Sequence, residues 1–285
     1  MDPFAAALTA HLGAPVRSLT RLGGGDFAAA FRVLLGDGTV VFAKTHRDPP
    51  AGFFTREAID LEWLADASAV AVPRVLAVSD GPVAVLALEW IDEGGTPDEA
   101  AFGRGLARLH ASGMAAFGRP DARTTGSLAL PNPPTATWAE FFAACRLEPL
   151  VRIARDRGSV PPDVLAAVAT VAARLDALGV PEEPPARLHG DLWAGNRLTD
   201  SSGRSWLIDP AGHGGHREFD LAMMRLFGGF GNACFAAYDA ERPLADGWEL
   251  RVPLHQLAPL LVHAIKFGGG YVAATARAAA GVLAL

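Results

Sequence analysis

Three short runs near the start of the chain, 16–21, 27–35 and 38–45, carry the apolar-polar mixture of half-buried strands, separated by G-G-G-D and G-D-G-T. The second break predicts a tight hairpin, because Gly36, Asp37 and Gly38 tolerate positive φ. From Phe53 to Ala67 the period changes: in F-x-x-E-A-I-x-L-E-W-L apolar residues recur every three or four positions, which predicts a helix. V-P-R-V-L-A-V and V-A-V-L-A-L-E-W then read as two more strands around S-D-G-P. These elements predict a small five-stranded antiparallel sheet with one main helix.

After I-D-E-G-G-T-P helical spacing dominates, over 97–112, 137–158, 162–178 and most of the chain from Glu218. A Gly/Pro-rich loop fills 113–135, and 187–209 reads as a loop with two short strands. The composition shift at Glu93–Pro97 sets the boundary. The expectation is an α+β chain with an N-terminal lobe, 1–92, that binds a nucleotide. A larger helical lobe, 93–285, would carry the catalytic loop and substrate site.

Composition narrows the function. At 285 residues, half of them hydrophobic, the chain can bury a large core, and a net charge of −6 without a Lys/Arg run argues against nucleic acid or an anionic membrane as partner. No run of 18 apolar residues occurs, and the start lacks the basic region of a signal peptide. Two cysteines, Cys145 and Cys234, make no disulfide framework, so a reduced cytoplasmic setting is expected.

The chemistry concentrates in L-H-G-D-L-W-A-G-N, 188–196, and in W-L-I-D-P-A, 206–211. Asp191 precedes Asn196 by five residues, the spacing that separates base from metal-binding Asn in the protein-kinase catalytic loop. Asp209 ends an apolar run that reads as a buried strand. Mg²⁺ takes hard oxygen ligands alongside substrate phosphates, and an Asp beside an attacking hydroxyl orients it and accepts its proton. Asp or Asn alone would more often cap a turn; the upstream features make the set specific. Gly23, Gly24 and Gly25 form a turn between strands that lets backbone N–H groups approach phosphates. Lys44 ends a strand within reach of the α- and β-phosphates, and Glu57 on the next helix is placed to hold it. The strand ending at Glu89 leads into the lobe boundary, so backbone groups around Glu89–Ile91 are candidates for an adenine edge.

A competing pattern is present. Gly23, Gly25 and Ala28 fit the G-x-G-x-x-A of dinucleotide sites, but that unit wants an acid about twenty residues on, at a strand end. Here that strand ends in Lys44, and no acid appears before Asp48.

The H-G-D-L-W-A-G-N loop resembles that of the fructosamine (ketosamine) kinase family, relatives of aminoglycoside and choline kinases within the bilobal protein-kinase-like fold. The resemblance extends through F-G-R-G-L-A-R-L-H at 102–110, T-G-S-L-A-L-P-N at 125–132, the W-A-E-F-F…R-L-E-P-L block at 138–150, D-P-A-G-H-G-G-H-R-E-F-D-L-A-M-M-R-L-F-G-G-F at 209–230 and K-F-G-G-G-Y at 266–271. It implies transfer of phosphate from ATP to a ketosamine sugar hydroxyl, typically the 3-hydroxyl of a ribulosamine, erythrulosamine or fructosamine adduct on a small amine or protein side chain. A phosphate on the carbon next to the ketone leaves once the ketosamine enolises toward C1, so the reaction fits deglycation repair. The resemblance makes Asp191 the catalytic base, Asn196 and Asp209 the Mg²⁺ ligands, Lys44 the phosphate clamp and Glu57 its partner. Trp193, two positions past the base, is a candidate for stacking on substrate, and His216 and Arg217 are further substrate candidates. His189 is expected to brace the loop, and Asp220 to accept its backbone N–H groups.

The chain also departs from related patterns. Some relatives carry a cysteine in the glycine-rich loop; here none precedes Cys145, so no redox switch is expected there. D-P-A replaces D-F-G, and Pro210 restricts the backbone after the acid. The alternatives are an aminoglycoside- or choline-type kinase on the same scaffold, and an ATP-binding pseudokinase.

Overall fold

The computed structural model describes residues 2–23, 28–120, 128 and 130–285. They fall into two compact units: one comprises the described residues up to Asp98 with Asn196–Ala211, the other the described residues between Glu99 and Gly195 with Gly212–Leu285.

In the first unit, β1 (Val16–Arg21), β2 (Ala29–Leu35), β3 (Val40–His46), β4 (Val75–Ser79) and β5 (Ala84–Glu89) form one antiparallel sheet in the order β1-β2-β3-β5-β4. Side chains alternate between faces with period two. Val41 and Ala43 therefore join Val33, Val85 and Ala87 in a core against Phe4 and Leu8 of a helix, α1 (Pro3–Leu12). Sequence periodicity did not predict α1. Its signal is the Asp2-Pro3 start: Asp2 Oδ1 accepts the N–H of Phe4 at 3.1 Å, and a proline in the first turn has no N–H to leave unpaired.

Lys44, odd to Val41 and Ala43, projects from the opposite face, which α2 (Phe53–Asp66) covers. The buried residues of α2 are Phe54, Glu57, Ala58, Asp60, Leu61 and Leu64, so carboxylates occupy two inward positions of a mostly apolar face. Asp80, in the turn between β4 and β5, accepts from the N–H groups of Phe54 and Thr55 at 3.0 Å each, pinning the start of the helix to the sheet.

The 196–211 segment, which the sequence reading placed with the helical lobe, packs with the first unit. There β7 (Arg197–Thr199) and β8 (Ser205–Leu207) form a hairpin, Leu207 N–H donates to Ala71 O at 2.8 Å, and Gly94 N–H donates to Thr199 O at 3.2 Å. Chain order hides this, because Ala71 and Gly94 lie more than a hundred residues upstream of their partners in the hairpin.

The second unit is mainly helical: α3 (Glu99–Ala111), α4 (Trp138–Phe142), α5 (Glu148–Arg157), α6 (Pro162–Ala173), α7 (Glu218–Phe227), α8 (Asn232–Glu241), α9 (Trp248–Phe267) and α10 (Gly270–Leu283). Leu147, Leu150, Val168, Leu257, Leu261 and Ala279 lie in its core. The stretch predicted as one helix over 137–158 is broken by a π turn at Ala143–Leu147. Pro149 has no N–H to offer the carbonyl of Cys145, and the guanidinium of Arg146 takes that carbonyl instead, at 2.9 Å. One further pair of short strands, β6 (Ala186–Leu188) and β9 (His213–Gly215), brackets the segment that carries Asp191.

Candidate active site

In the first unit Lys44 is gripped by two acids. Its Nζ donates to Glu57 Oε1 at 2.8 Å and to Asp209 Oδ1, from strand β3, helix α2 and the end of the β7–β8 hairpin. Burial pulls the ammonium toward its neutral form, but Glu57 and Asp209 more than offset this and hold it above the ordinary lysine range. Two carboxylates around one ammonium leave an excess negative charge. Glu57, the more enclosed, is pushed up to about 7 by burial, with Lys44 pulling the other way and Asp209 adding to the rise.

Asp209 sits at φ 52°, in the left-handed region. Asp visits that region more readily than most side chains, at a cost of order 1 kcal/mol or more, and such residues cluster at functional sites. Asn196 is buried, and its Nδ2 donates to the backbone carbonyl of Asp209 at 3.5 Å. An amide oxygen and a half-exposed carboxylate are the hard donors Mg²⁺ takes, so these residues fit that ion.

Asp191 belongs to the second unit. Its loop is fastened from beneath: Asp220 on α7 accepts from the backbone N–H of His189 at 2.7 Å and of Gly190 at 2.9 Å, and Asp191 N–H donates to His189 Nδ1 at 3.2 Å. Both roles expected from sequence, His189 as brace and Asp220 as acceptor, have this geometry. Behind Asp220 stands a group the sequence reading did not single out. His110 on α3 meets Asp220 Oδ2 at 3.2 Å through Nε2 and the Tyr238 hydroxyl at 2.8 Å through Nδ1. Burial would raise the Asp220 carboxyl, yet His110 and the backbone N–H of Gly190 hold it below its usual value. The available signal was a histidine on the inward stripe of an amphipathic helix, L-A-R-L-H.

Two substrate candidates lie in the interior of the second unit. Arg217 is buried: its Nε and Nη2 grip Glu183 at 2.6 and 2.8 Å, and Nη1 and Nη2 donate to the carbonyls of Arg242 and Pro243. His216 is also buried, stacked on His255 with ring centroids 5.2 Å apart and edge-on to Trp138. Both belong to the interior because D-P-A-G-H-G-G-H-R-E turns inward through β9 before α7 begins. Trp193, by contrast, is 40% exposed.

Gly23 is exposed in the turn after β1, while Gly24 and Gly25 lie outside the described residues. Glu89 closes β5: its N–H donates to Arg74 O at 3.0 Å, and its carboxylate accepts from Arg74 Nε at 3.3 Å. That N–H is committed to the sheet edge; the buried Ile91 lies just beyond.

A lysine on β3 of a five-stranded sheet, an acid on the following helix, and acids and an amide carried on a loop and hairpin after the first helical segments define a phosphotransferase of the protein-kinase-like fold. The choline kinase LicA of Streptococcus pneumoniae shares that fold, with a TM-score of 0.62 over 98% of this chain and 97% of its own, at 18% identity. The match to the fructosamine kinase family model spans residues 1–284, and the chain belongs to that family. A crystal structure from Thermobifida fusca, assigned by inference as a fructosamine-3-kinase, superposes with a TM-score of 0.91 at 41% identity over the whole of both chains. A probable ketoamine kinase of Synechocystis is 37% identical over 81% of this chain and 78% of its own. The chloroplastic protein-ribulosamine 3-kinase of Arabidopsis thaliana is 30% identical over 93% and 82%.

Proposed function

We propose that the protein transfers the γ-phosphoryl group of ATP to a sugar hydroxyl of a ketosamine, the 3-hydroxyl of a ribulosamine, erythrulosamine or fructosamine adduct on a small amine or a protein side chain. The observation that carries the reading is the Lys44–Glu57–Asp209 grip in a chain of this family. Lys44 holds the α- and β-phosphates, Glu57 keeps its ammonium in place, and Gly23, Gly24 and Gly25 supply backbone N–H groups to the phosphates. The stretch from Glu89 to Ile91 receives the adenine edge through the residues past the end of β5.

Asp209 and Asn196 would hold Mg²⁺, which would offset the negative charge of the phosphates. Asp191 orients the sugar hydroxyl and takes its proton late, as the new O–P bond forms and the bond to the ADP oxygen breaks. Trp193 lies against the substrate. The phosphate then sits on C3, next to the C2 ketone. Loss of a C1 proton gives the 1,2-enaminol, which expels inorganic phosphate from C3. Water hydrolyses the resulting imine to free the amine, a repair chemistry suited to the ATP-rich cytoplasm.

The test is a substrate panel with purified protein, ATP and Mg²⁺, read by ADP release and by phosphorus-coupled NMR of the product. Ketosamines should turn over with phosphate on O3. Turnover of choline or an aminoglycoside in their place would replace the reading with the alternative acceptor class; ATP binding without any turnover would make the chain a pseudokinase.

A further inference from the structure

Trp193 begins a ladder of rings of which the reaction as described uses only the first. Its indole meets Phe227 at the end of α7 with centroids 5.9 Å apart. Phe227 meets His263 at 5.1 Å, and His263 meets Phe267 at 5.6 Å and Tyr271 at 5.0 Å, the last three on α9 and the start of α10. Phe227 is 37% exposed and Phe267 55% exposed. Among the described residues, every exposed large aromatic belongs to this ladder.

The ladder is also built rather than incidental. A Cβ on Gly195 would meet the Trp193 ring at 2.3 Å, so the indole lies directly on that glycine's backbone. A Cβ on Gly229 would meet Ala194 Cβ at 2.4 Å, so the chain leaving Phe227 closes against the same loop. Both contacts fix two exposed rings side by side, the first of them two residues past Asp191. Holding aromatic faces toward water is unfavourable unless a ligand covers them.

We infer that the ladder from Trp193 through Phe227 and His263 to Phe267 and Tyr271 seats the amine-bearing half of the substrate, a protonated secondary amine with its attached carbon chain. The inference rests on the ketosamine reading above. In a ketosamine the nitrogen is on C1 and the reacting hydroxyl on C3, two carbons away. With that hydroxyl at Asp191, the ammonium comes to the first ring past the base and its carbon chain continues outward along the others. An ammonium over ring faces is attracted by their quadrupole, and the alkyl chain covers the exposed carbon. The protein therefore selects ketosamines carried on extended amines, such as a lysine side chain, over those on small amines.

The experiment compares two ribulosamines, one on methylamine and one on the ε-amine of Nα-acetyl-lysine methylamide. Wild-type protein should favour the lysine adduct in kcat/KM, and Phe227→Ala and Phe267→Ala should each shrink that preference about tenfold. Phe267→Leu, which keeps bulk without a ring, should restore only part of it, and an unshifted KM for ATP in each variant checks that the fold is intact. In parallel, N-methylbutylammonium is titrated against wild type and Phe267→Ala by saturation-transfer NMR, with binding expected in the first and lost in the second. Turnover with an unchanged preference in both alanine variants overturns the ladder and leaves the ketosamine reading standing. Amine binding that depends on Phe267 without ketosamine turnover keeps the ladder and removes the reaction. Absence of both rejects the two together.

Discussion

Lys44 and Glu57, thirteen residues apart on a strand and a helix, meet at 2.8 Å with both side chains largely buried. Nothing about either residue requires that pairing; the face of the sheet opposite α1 and the helix start tied to Asp80 bring it about. A buried lysine between two carboxylates is a positioned cation. Glu57→Gln should raise the KM for ATP and lower kcat/KM by roughly 10-fold to 100-fold, the scale at which misplacing a binding group costs. Steady-state kinetics with ATP as the varied substrate checks this, and unchanged constants would remove Glu57 from the phosphate clamp.

The same pair gives a pH signature in the ligand-free protein. The Glu57 carboxyl is raised to about 7 against 4.5 in the unfolded chain, so between those values the folded state holds a proton that the unfolded state has released. Its contribution to stability is complete below about 4.5 and is lost as pH rises through about 7. Melting temperatures of wild type and Glu57→Gln between pH 5 and 8 should diverge in that sense, the wild type falling relative to the variant as pH rises. Parallel curves would refute the shared-ammonium account.

Asp191 should behave as a group needed in the transition state. Asp191→Asn keeps the volume and one oxygen but cannot take the proton, so kcat should drop about 100-fold to 10,000-fold while ATP binding changes little. Calorimetric titration with a non-hydrolysable nucleotide separates the two effects. A variant with near-normal kcat would take the base out of this residue.

Beneath the loop, Asp220→Ala leaves the N–H groups of His189 and Gly190 and the His110 ring without their acceptor. Each unpaired buried donor costs about 1–3 kcal/mol, so the midpoint of urea unfolding should fall well beyond the error of the measurement. A stability equal to wild type would mean that water replaces the carboxylate there.

Glu218 and Arg251 form a second buried pair, at 2.6 and 2.9 Å, with His255 3.3 Å from the same carboxylate. Burial would raise the Glu218 carboxyl, but His255 and Arg251 hold it down, to about 2; burial and the neighbouring His255 hold His216 at about 4. Both folded values lie below the unfolded ones. Stability carried by His216 is therefore present above about 6.5 and lost as pH falls through about 4, and that of Glu218 is lost between about 4.5 and 2. Arg251→Met alone should cost about 3–5 kcal/mol at neutral pH by stranding the carboxylate, and Glu218→Gln combined with it should recover part of the loss. Urea titrations of the single and double variants read this directly.

The sequence by itself determined the five strands, the amphipathic helix α2, most of the helices beyond Glu99 and the identity of the chemical groups. Those features are local: period two, period 3.6 and a five-residue spacing between Asp191 and Asn196. Only the tertiary structure decided which unit holds the 196–211 hairpin, that His216 and Arg217 turn inward, and that His110 and Tyr238 stand behind the catalytic loop. The difference has one cause. A hydrophobic period says that a residue faces inward but not what it meets there, and the partners of Asp220, Arg217 and the β7–β8 hairpin are supplied from 25 to more than 100 residues away by packing that no local pattern encodes.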